Sequence, residues 1–447
     1  MSFKRTNPSR PSRISRNQGP LEVTIDSLTH DGRGIARDRG RVVMVEDALP
    51  GDRVKVRVTR QTTKRLDGAV AKILEPSADR VEPPCPWYQQ CGGCNMQHIS
   101  SESLIAFKQD IVLNQLQRFA DLKPEQVVDP LLSPEWGYRS RARLAVRWWN
   151  GELRMGFRAS GSKDIVPVGT CPVLHPELAE LIPVLRERLE NSKKKRAVSH
   201  IELAYAENGH GILLRTPEAL HEQDREAWME LAQEKGIHLY LQLDSPDSLV
   251  CIHSPDDCDH LRYDLAEQKL KLEYLPVDFT QVNPHINQQM VSRAMEWLAP
   301  GRNDRVLDLF CGLGNFTLPL AQKCRVAVGV EGVDALVERG HHNARLNNLN
   351  NVEFYQADLA AEPGNRPWVA DKADALLLDP PRTGALEILQ RLVKHLPKKI
   401  LYVSCNPATL ARDASFLKEQ GFHLSRFGVM DMFPQTTHVE SIGLFVR

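Results

Sequence analysis

Between residues 21 and 74 the chain alternates apolar and polar positions in short runs, at 21–28, 41–45, 53–60 and 66–74. Turn-forming residues separate them, as in His30-Asp31-Gly32-Arg33-Gly34 and Leu49-Pro50-Gly51-Asp52. Val54, Val56 and Val58 alternate with Arg53, Lys55 and Arg57, which predicts a strand with one buried face and one basic face. Several short strands in about 60 residues predict a small closed barrel of the OB type. A Pro-rich linker at 75–84 follows, then a predicted helix from 101 to about 119 and a strand over 139–147. Residues 172–270 mix helical and strand patterns without a recognisable chemistry, and 193–196 reads as an exposed loop. From 272 the texture changes. Strands expected at 305–310, 326–330, 352–355, 373–378, 400–404 and 439–446 alternate with helices at 316–322, 333–347, 386–395 and 410–419. That alternation predicts a parallel sheet with helices on both faces.

A chain of 447 residues is too long for one ordinary domain, so two or three are expected. Hydrophobic content of 42% and charged content of 26% are those of a soluble globular protein. The first 20 residues hold no apolar core segment, and no run approaches the roughly 18 apolar residues of a membrane helix. A cytoplasmic location is expected, and with it reduced cysteines, so the nine present point to metal binding or catalysis. The net charge of zero hides an asymmetry: residues 1–80 carry 17 Lys and Arg against 10 Asp and Glu. A basic front end on a neutral chain reads as facing nucleic acid, with residues 1–20 expected to be a disordered basic tail.

Three motifs carry chemistry in the C-terminal half. The apolar run 400–403 stops at Ser404-Cys405-Asn406-Pro407, which presents a thiol at the open edge of a sheet. Asp308-Leu309-Phe310-Cys311-Gly312-Leu313-Gly314-Asn315 runs from a strand into a glycine-rich loop, with Thr317 where a dinucleotide fingerprint has its third glycine. Glu331 closes the next strand about 20 residues on, where an acid accepts from ribose hydroxyls. Asp358 closes the third strand, and Leu376-Leu377-Leu378-Asp379-Pro380-Pro381-Arg382 ends another. These spaced acids fit an S-adenosylmethionine pocket better than NAD. Cys311 and Cys324 read as packing residues, and Cys251 and Cys258 remain unassigned. Cys85, Cys91 and Cys94, with Cys171-Pro172 as a fourth ligand, suit zinc or an iron–sulfur cluster, and the uneven spacing favours the cluster. Arg139, Arg141 and Arg143, at alternate positions of one strand, suggest a phosphate path.

Together with Phe279-Thr280-Gln281-Val282-Asn283 and His438-Val439-Glu440, these motifs resemble the RNA uracil-C5 methyltransferases, over the chain from about residue 21 to its end. The resemblance implies a multidomain fold: a TRAM barrel at 21–76, a central α+β domain with an iron–sulfur cluster at 77–271, and a class I, Rossmann-like methyltransferase domain at 272–447. It implies cofactor contacts at Gln281, Phe310, Asn315, Glu331, Asp358 and Asp379, and a [4Fe-4S] cluster on Cys85, Cys91, Cys94 and Cys171. Cys405 becomes the nucleophile that adds to carbon 6 of uracil, and Glu440 the acceptor of the carbon 5 proton. The implied partner is 23S ribosomal RNA, at uridine 1939, acted on by a monomer without an obligate protein partner. Transfer RNA or another ribosomal site is the alternative target. A non-catalytic RNA-binding assembly factor is the alternative class, disfavoured by the presence of both Cys405 and Glu440. Having both barrel and cysteine set is expected to separate the chain from shorter transfer-RNA relatives.

Overall fold

The computed structural model describes residues 21–361, 364 and 366–447. The expected basic tail, 1–20, lies outside the described residues. Two compact units emerge: 21–88 with 94–104 and 435–437, and 89–93 with 105–434 and 438–447.

In the first unit six strands form one sheet in the order β1-β5-β6-β4-β3-β2. They are β1 Leu21–Thr24, β2 Ser27–Leu28, β3 Gly34–Asp38, β4 Arg41–Glu46, β5 Arg53–Gln61 and β6 Arg65–Glu75. Val23, Val43, Val45, Val54, Val56 and Leu66 fill its core, as the alternation predicts. At Gly68 a Cβ would lie 2.7 Å from the Arg57 carbonyl oxygen, so the crossing of β5 and β6 needs glycine. Asp52 ties the turn after β4 together: it accepts from Leu49 N–H and Ser77 N–H and pairs with Arg80 at 2.5 Å.

The helix α1 Ser101–Gln115 ends in a π-turn, Leu116–Ala120, and β7 Gln126–Val127 follows. A central seven-stranded sheet then runs in the order β10-β9-β8-β11-β12-β13-β14. Its strands are β8 Arg141–Trp149, β9 Glu152–Arg158, β10 Ile165–Val166, β11 His200–Ala204, β12 Gly211–Arg215, β13 His238–Gln242 and β14 Leu249–His253. The helices α2 Pro176–Glu190 and α3 Glu222–Lys235 pack on it. A hairpin, β15 Leu261–Leu265 and β16 Leu270–Tyr274, leads to α4 Pro284–Leu298.

The C-terminal sheet has eight strands in the order β19-β18-β17-β20-β21-β23-β22-β7. These are β17 Arg305–Leu309, β18 Val326–Glu331, β19 Val352–Gln356, β20 Ala375–Leu378, β21 Lys399–Ser404, β22 His423–Met430 and β23 Glu440–Val446. The helices α5 Thr317–Ala321, α6 Asp334–Leu346, α7 Pro367–Ala370, α8 Leu386–Arg391 and α9 Pro407–Glu419 alternate with them. β17 to β21 pair in parallel, and β23 inserts antiparallel to β21. Both faces are buried, as parallel strands require. Val306, Leu377 and Leu401 face one core with Met290 and Val291 of α4, while Leu307, Leu376 and Ile400 face another with Val112, Leu410 and Leu417.

One strand departs from the sequence reading: β22 escapes it because the register shifts between Leu424 and Arg426, which breaks the two-residue period. The central and C-terminal sheets share their packing. One core holds Leu213 and Tyr240 of the central sheet together with Met290 and Val306, and Ile105 and Leu116 pack beneath the C-terminal sheet.

Candidate active site

The nucleotide-type loop forms where β17 runs out. Phe310 at φ +64°, Gly312 at +55° and Gly314 at +100° take left-handed conformations that turn the chain back toward α5. Asp308 is fully buried beneath it: one carboxylate oxygen accepts from the Thr317 hydroxyl at 2.6 Å, and the other has no hydrogen-bond partner among the described residues. Burial, reinforced by Asp379 and Glu331 and opposed by the Thr317 bond, pushes this acid up to about 8. Glu331, at the end of β18, accepts from the N–H groups of Gly312, Gly332 and Val333 at 3.1, 2.8 and 3.1 Å. Asp358 is exposed beyond β19 and accepts from Ala360 N–H, so it shapes its own turn. Asn315 is held rather than free: its carbonyl accepts from the Tyr263 hydroxyl and the Asn287 amide, both at 3.0 Å, and its amide donates back to Asn287.

The loop before α4 carries Gln281, half-buried beside Tyr263, Tyr274, Arg262 and Asn287. Asn283 caps the helix by accepting from Ile286 N–H, with Pro284 in the first turn. Arg141 braces this loop, donating to the carbonyls of Asp278 and Pro276 and to the Thr280 hydroxyl. Arg141 is therefore a structural brace, and Arg139 donates to the Arg141 carbonyl at 2.8 Å. Of the three strand arginines read as a phosphate path, Arg143 alone is exposed.

The thiol lies at the other end of the same sheet edge. Ser404 pairs with Ser441, so the antiparallel register carried one step further sets Cys405 across from Glu440. Asn406 caps α9 by accepting from Ala408 N–H, with Pro407 next, and its amide donates to the Arg382 carbonyl at 3.0 Å. The Asp379-Pro380-Pro381-Arg382 turn and the Cys405 turn are thereby tied together. Three acids meet here. Burial pushes Asp379 up to about 7. Burial, with Asp379 adding and Arg382 and Lys108 opposing, pushes Glu440 up to about 8. Burial, then Glu440 and Asp379, push the Cys405 thiol up to about 11, with Arg382 opposing.

Lys108 escaped the sequence reading. Wholly buried on α1, its ammonium donates to Asp431 at 2.8 Å and to the Phe433 carbonyl at 2.9 Å. Asp431 directly follows Met430, the residue paired with Glu440. The signal was legible: Leu104, Lys108, Val112 and Leu116 form one four-residue row, with a single cation among buried apolar side chains.

The four cysteines expected to hold a metal are all half-buried, Cys85 and Cys94 in the first unit and Cys91 and Cys171 in the second. Gly93 N–H donates to the Cys91 sulfur at 3.4 Å, the kind of bond that stabilises a thiolate ligand. Cys311 and Cys324 are buried, as packing residues should be. Cys258 comes within 4.8 Å of ligand atoms on His260 and Glu273. Arg339 donates to His260 and His342 bonds Glu273, so that group is already satisfied. On the barrel, Arg53 and Lys55 pair with Glu75 and Glu22, so part of the basic face of β5 is neutralised.

A glycine-rich loop over a buried acid, and a thiol beside a carboxyl whose value is raised at the strand ends of the same sheet, define the class of α/β group-transfer enzymes. The comparisons narrow that class. The family model described as tRNA (uracil-5-)-methyltransferase matches residues 101–366 and 368–447, and a TRAM domain matches 20–71. The chain belongs to this family of RNA uracil-C5 methyltransferases. It is 41% identical to the 23S rRNA (uracil(1939)-C(5))-methyltransferase RlmD of Shewanella halifaxensis, over 98% of each chain. It is 43% identical to the enzyme of that name from Pseudomonas putida, over 95% of this chain and 93% of that one. Among solved structures it is similar to the tRNA (uracil-54, C5)-methyltransferase of Pyrococcus abyssi, with a TM-score of 0.72 and 24% identity over 95% of this chain and 100% of that one. A transfer-RNA enzyme thus shares the fold along its whole length, and architecture does not separate the two kinds of target as expected. No helix among the described residues is long and apolar enough to cross a membrane.

Proposed function

We propose that this chain transfers the methyl group of S-adenosylmethionine to carbon 5 of a uridine in 23S ribosomal RNA, the position that its relatives' names give as 1939. The observation that carries the mechanism is the Ser404–Ser441 pair, which leaves Cys405 and Glu440 as the next residues on adjacent strands, close enough for Glu440 to raise the thiol. The Cys405 thiolate adds to carbon 6 of the flipped base, and the electron pair moves onto the C4 oxygen as an enolate. Bound S-adenosylmethionine would supply an electrophilic methyl group, which the enolate takes onto carbon 5 as the sulfonium–methyl bond breaks and S-adenosylhomocysteine leaves. Carbon 5 then carries both a methyl and a proton. Glu440 removes that proton, and the returning electron pair expels Cys405. Gln281, Phe310, Asn315, Glu331, Asp358 and Asp379 are the proposed cofactor contacts. The unpaired oxygen of Asp308 and the left-handed loop suit a polar ligand at this position. Tyr263 and Asn287 act as positioning residues for Asn315.

Cys85, Cys91, Cys94 and Cys171 are the proposed ligands of a [4Fe-4S] cluster, on the strength of four half-buried thiols and the bond from Gly93. We propose the TRAM barrel as an RNA contact, the 76/77 and 271/272 boundaries as the functional division, and a monomer acting in the cytoplasm. Transfer RNA or another ribosomal site remains the second reading.

Tritiated cofactor presented with unmodified 23S ribosomal RNA or with transfer RNA tests the target; label in transfer RNA alone would reject it. With labelled RNA on a denaturing gel, Glu440→Gln should leave a slow band of enzyme joined to methylated RNA, and Cys405→Ala should leave none. Normal turnover by the Glu440 variant would assign the base elsewhere.

A further inference from the structure

The central sheet has one face covered and another that is open at its β8–β9 end. α2 and α3 pack on the side where Leu144, Met155, Ile201 and Leu214 are buried. The opposite side is covered toward β12 and β13, where Leu213 and Tyr240 enter the core shared with Leu261 and Leu272, at Arg141 by the 276–280 loop, and at Gly156 by the Val166 backbone. Over β8 and β9 it presents Arg143, Arg147, Arg154 and Arg158, all exposed, with Trp149 53% exposed. Between them lies the small pair Ala145 and Gly156, where the backbone at Val166 passes so close that no Cβ fits.

Folding does not account for this arrangement. Arg147 and Arg154 are direct cross-strand partners, and like charges directly opposite destabilise a sheet. Neither makes an ion pair among the described residues. Glu202 serves both Arg143 and Arg215, at 3.6 and 2.5 Å, and Arg215 also donates to Gln242. Arg147 lies 5.6 Å over the Trp149 ring, which holds an indole at the surface beside two guanidinium groups. His200, on the same side, is held below its usual value by burial and then by Arg143, Arg158 and Arg215, which reports a positive local field.

We propose that this face, with Arg147 and Arg154 at its centre and Trp149 at its end, grips the sugar–phosphate backbone of the RNA that carries the target uridine. Arginine forks match phosphate oxygens, and an exposed indole gives an unpaired base a surface to stack on. An uncovered positive face with two opposed arginines is complementary to a polyanion, and relief of their repulsion adds to the attraction. The inference rests on the proposed RNA methylation and extends it to a grip separate from the barrel.

The test uses the full-length protein and a 23S ribosomal RNA fragment containing the target. Arg147→Ala with Arg154→Ala should raise KM for RNA about tenfold and flatten the log–log salt slope by about 1–2, since each phosphate contact contributes roughly 0.7–0.9. The kcat at saturating RNA and the affinity for the cofactor should stay unchanged. Melting temperature should hold or rise because two like charges are gone, which separates lost grip from lost folding. Arg147→Lys with Arg154→Lys should keep most of the slope. An unchanged slope and KM in active protein would overturn the inference, and that is also the result if the face meets an acidic protein. Failure of the wild-type chain to methylate the fragment would instead sink the target assignment.

Discussion

Cys405 is half-buried beside Glu440 and Asp379, and its reactivity follows first from burial and then from those two acids. Only the thiolate attacks, so with the thiol pushed up to about 11, alkylation at Cys405 should be slow at pH 7 and climb through the alkaline range. Above pH 8, where Glu440 is charged, Glu440→Gln removes one raising charge and should move that profile to lower pH. Mass spectrometry of the Cys405 peptide reads the rate, and a shift the other way would contradict the electrostatic account. Lys108 acts on the same carboxyl with the opposite sign. Lys108→Met leaves Asp431 buried without its cation, and breaking such a pair costs about 3–5 kcal/mol, visible as a fall in the urea midpoint. In whatever fraction stays folded, Glu440 should titrate above about 8, delaying release of the RNA adduct to higher pH.

At the scale of elements, the turn after β21 does two jobs with one side chain. The Asn406 carbonyl caps α9 and its amide holds the Arg382 carbonyl. Asn406→Ala should therefore cost about 1 kcal/mol through the lost cap. It should also lower kcat by more than that loss of stability explains, because the Arg382 turn loses its link to the thiol. Asn406→Asp keeps the cap but not the donor, so it should recover the stability and not the rate. Thermal melts and single-turnover rates together read the difference. The loop at Gln281 depends in the same way on a distant brace, the Arg141 guanidinium.

At the scale of the whole molecule, the carboxyls pushed furthest up among the described residues are Asp308, to about 8, Asp379, to about 7, and Glu440, to about 8. A raised value means that the native state binds more protons than the unfolded chain. The stability they contribute is fully present below about pH 4 and is lost as pH rises through 7 to 8. Melting temperature should fall across that window, and Asp308→Asn should flatten the fall. An Asp308 variant with unchanged pH dependence would show that the acid is charged in the folded state. The cysteine set makes a separate prediction. Anaerobically purified protein should be brown, with about four irons per chain, and Cys171→Ser should lose the iron and much of the soluble yield. Stoichiometric zinc without iron would reject the cluster.

The sequence by itself determined the parts whose signal is local. The barrel alternation, the strand-to-loop motif at Asp308 and the acid at each strand end are written in neighbouring residues, and β17, β18 and β21 formed within a residue of expectation, whereas α9 starts three residues before the expected 410 because Asn406 caps it. The β22 strand was hidden because a bulge breaks its period. What only the tertiary structure decided depends on contacts between distant positions. Lys108 meets Asp431 across 323 residues, Arg141 meets Thr280 across 139, and the pairing of β21 with β23 sets Ser404 across from Ser441, beside Cys405 and Glu440. The acids' shifted values arise there as well, since burial and neighbouring charges exist only once the sheet has closed. A local motif names the atoms that react; folding supplies the low dielectric and the partners that set when they do.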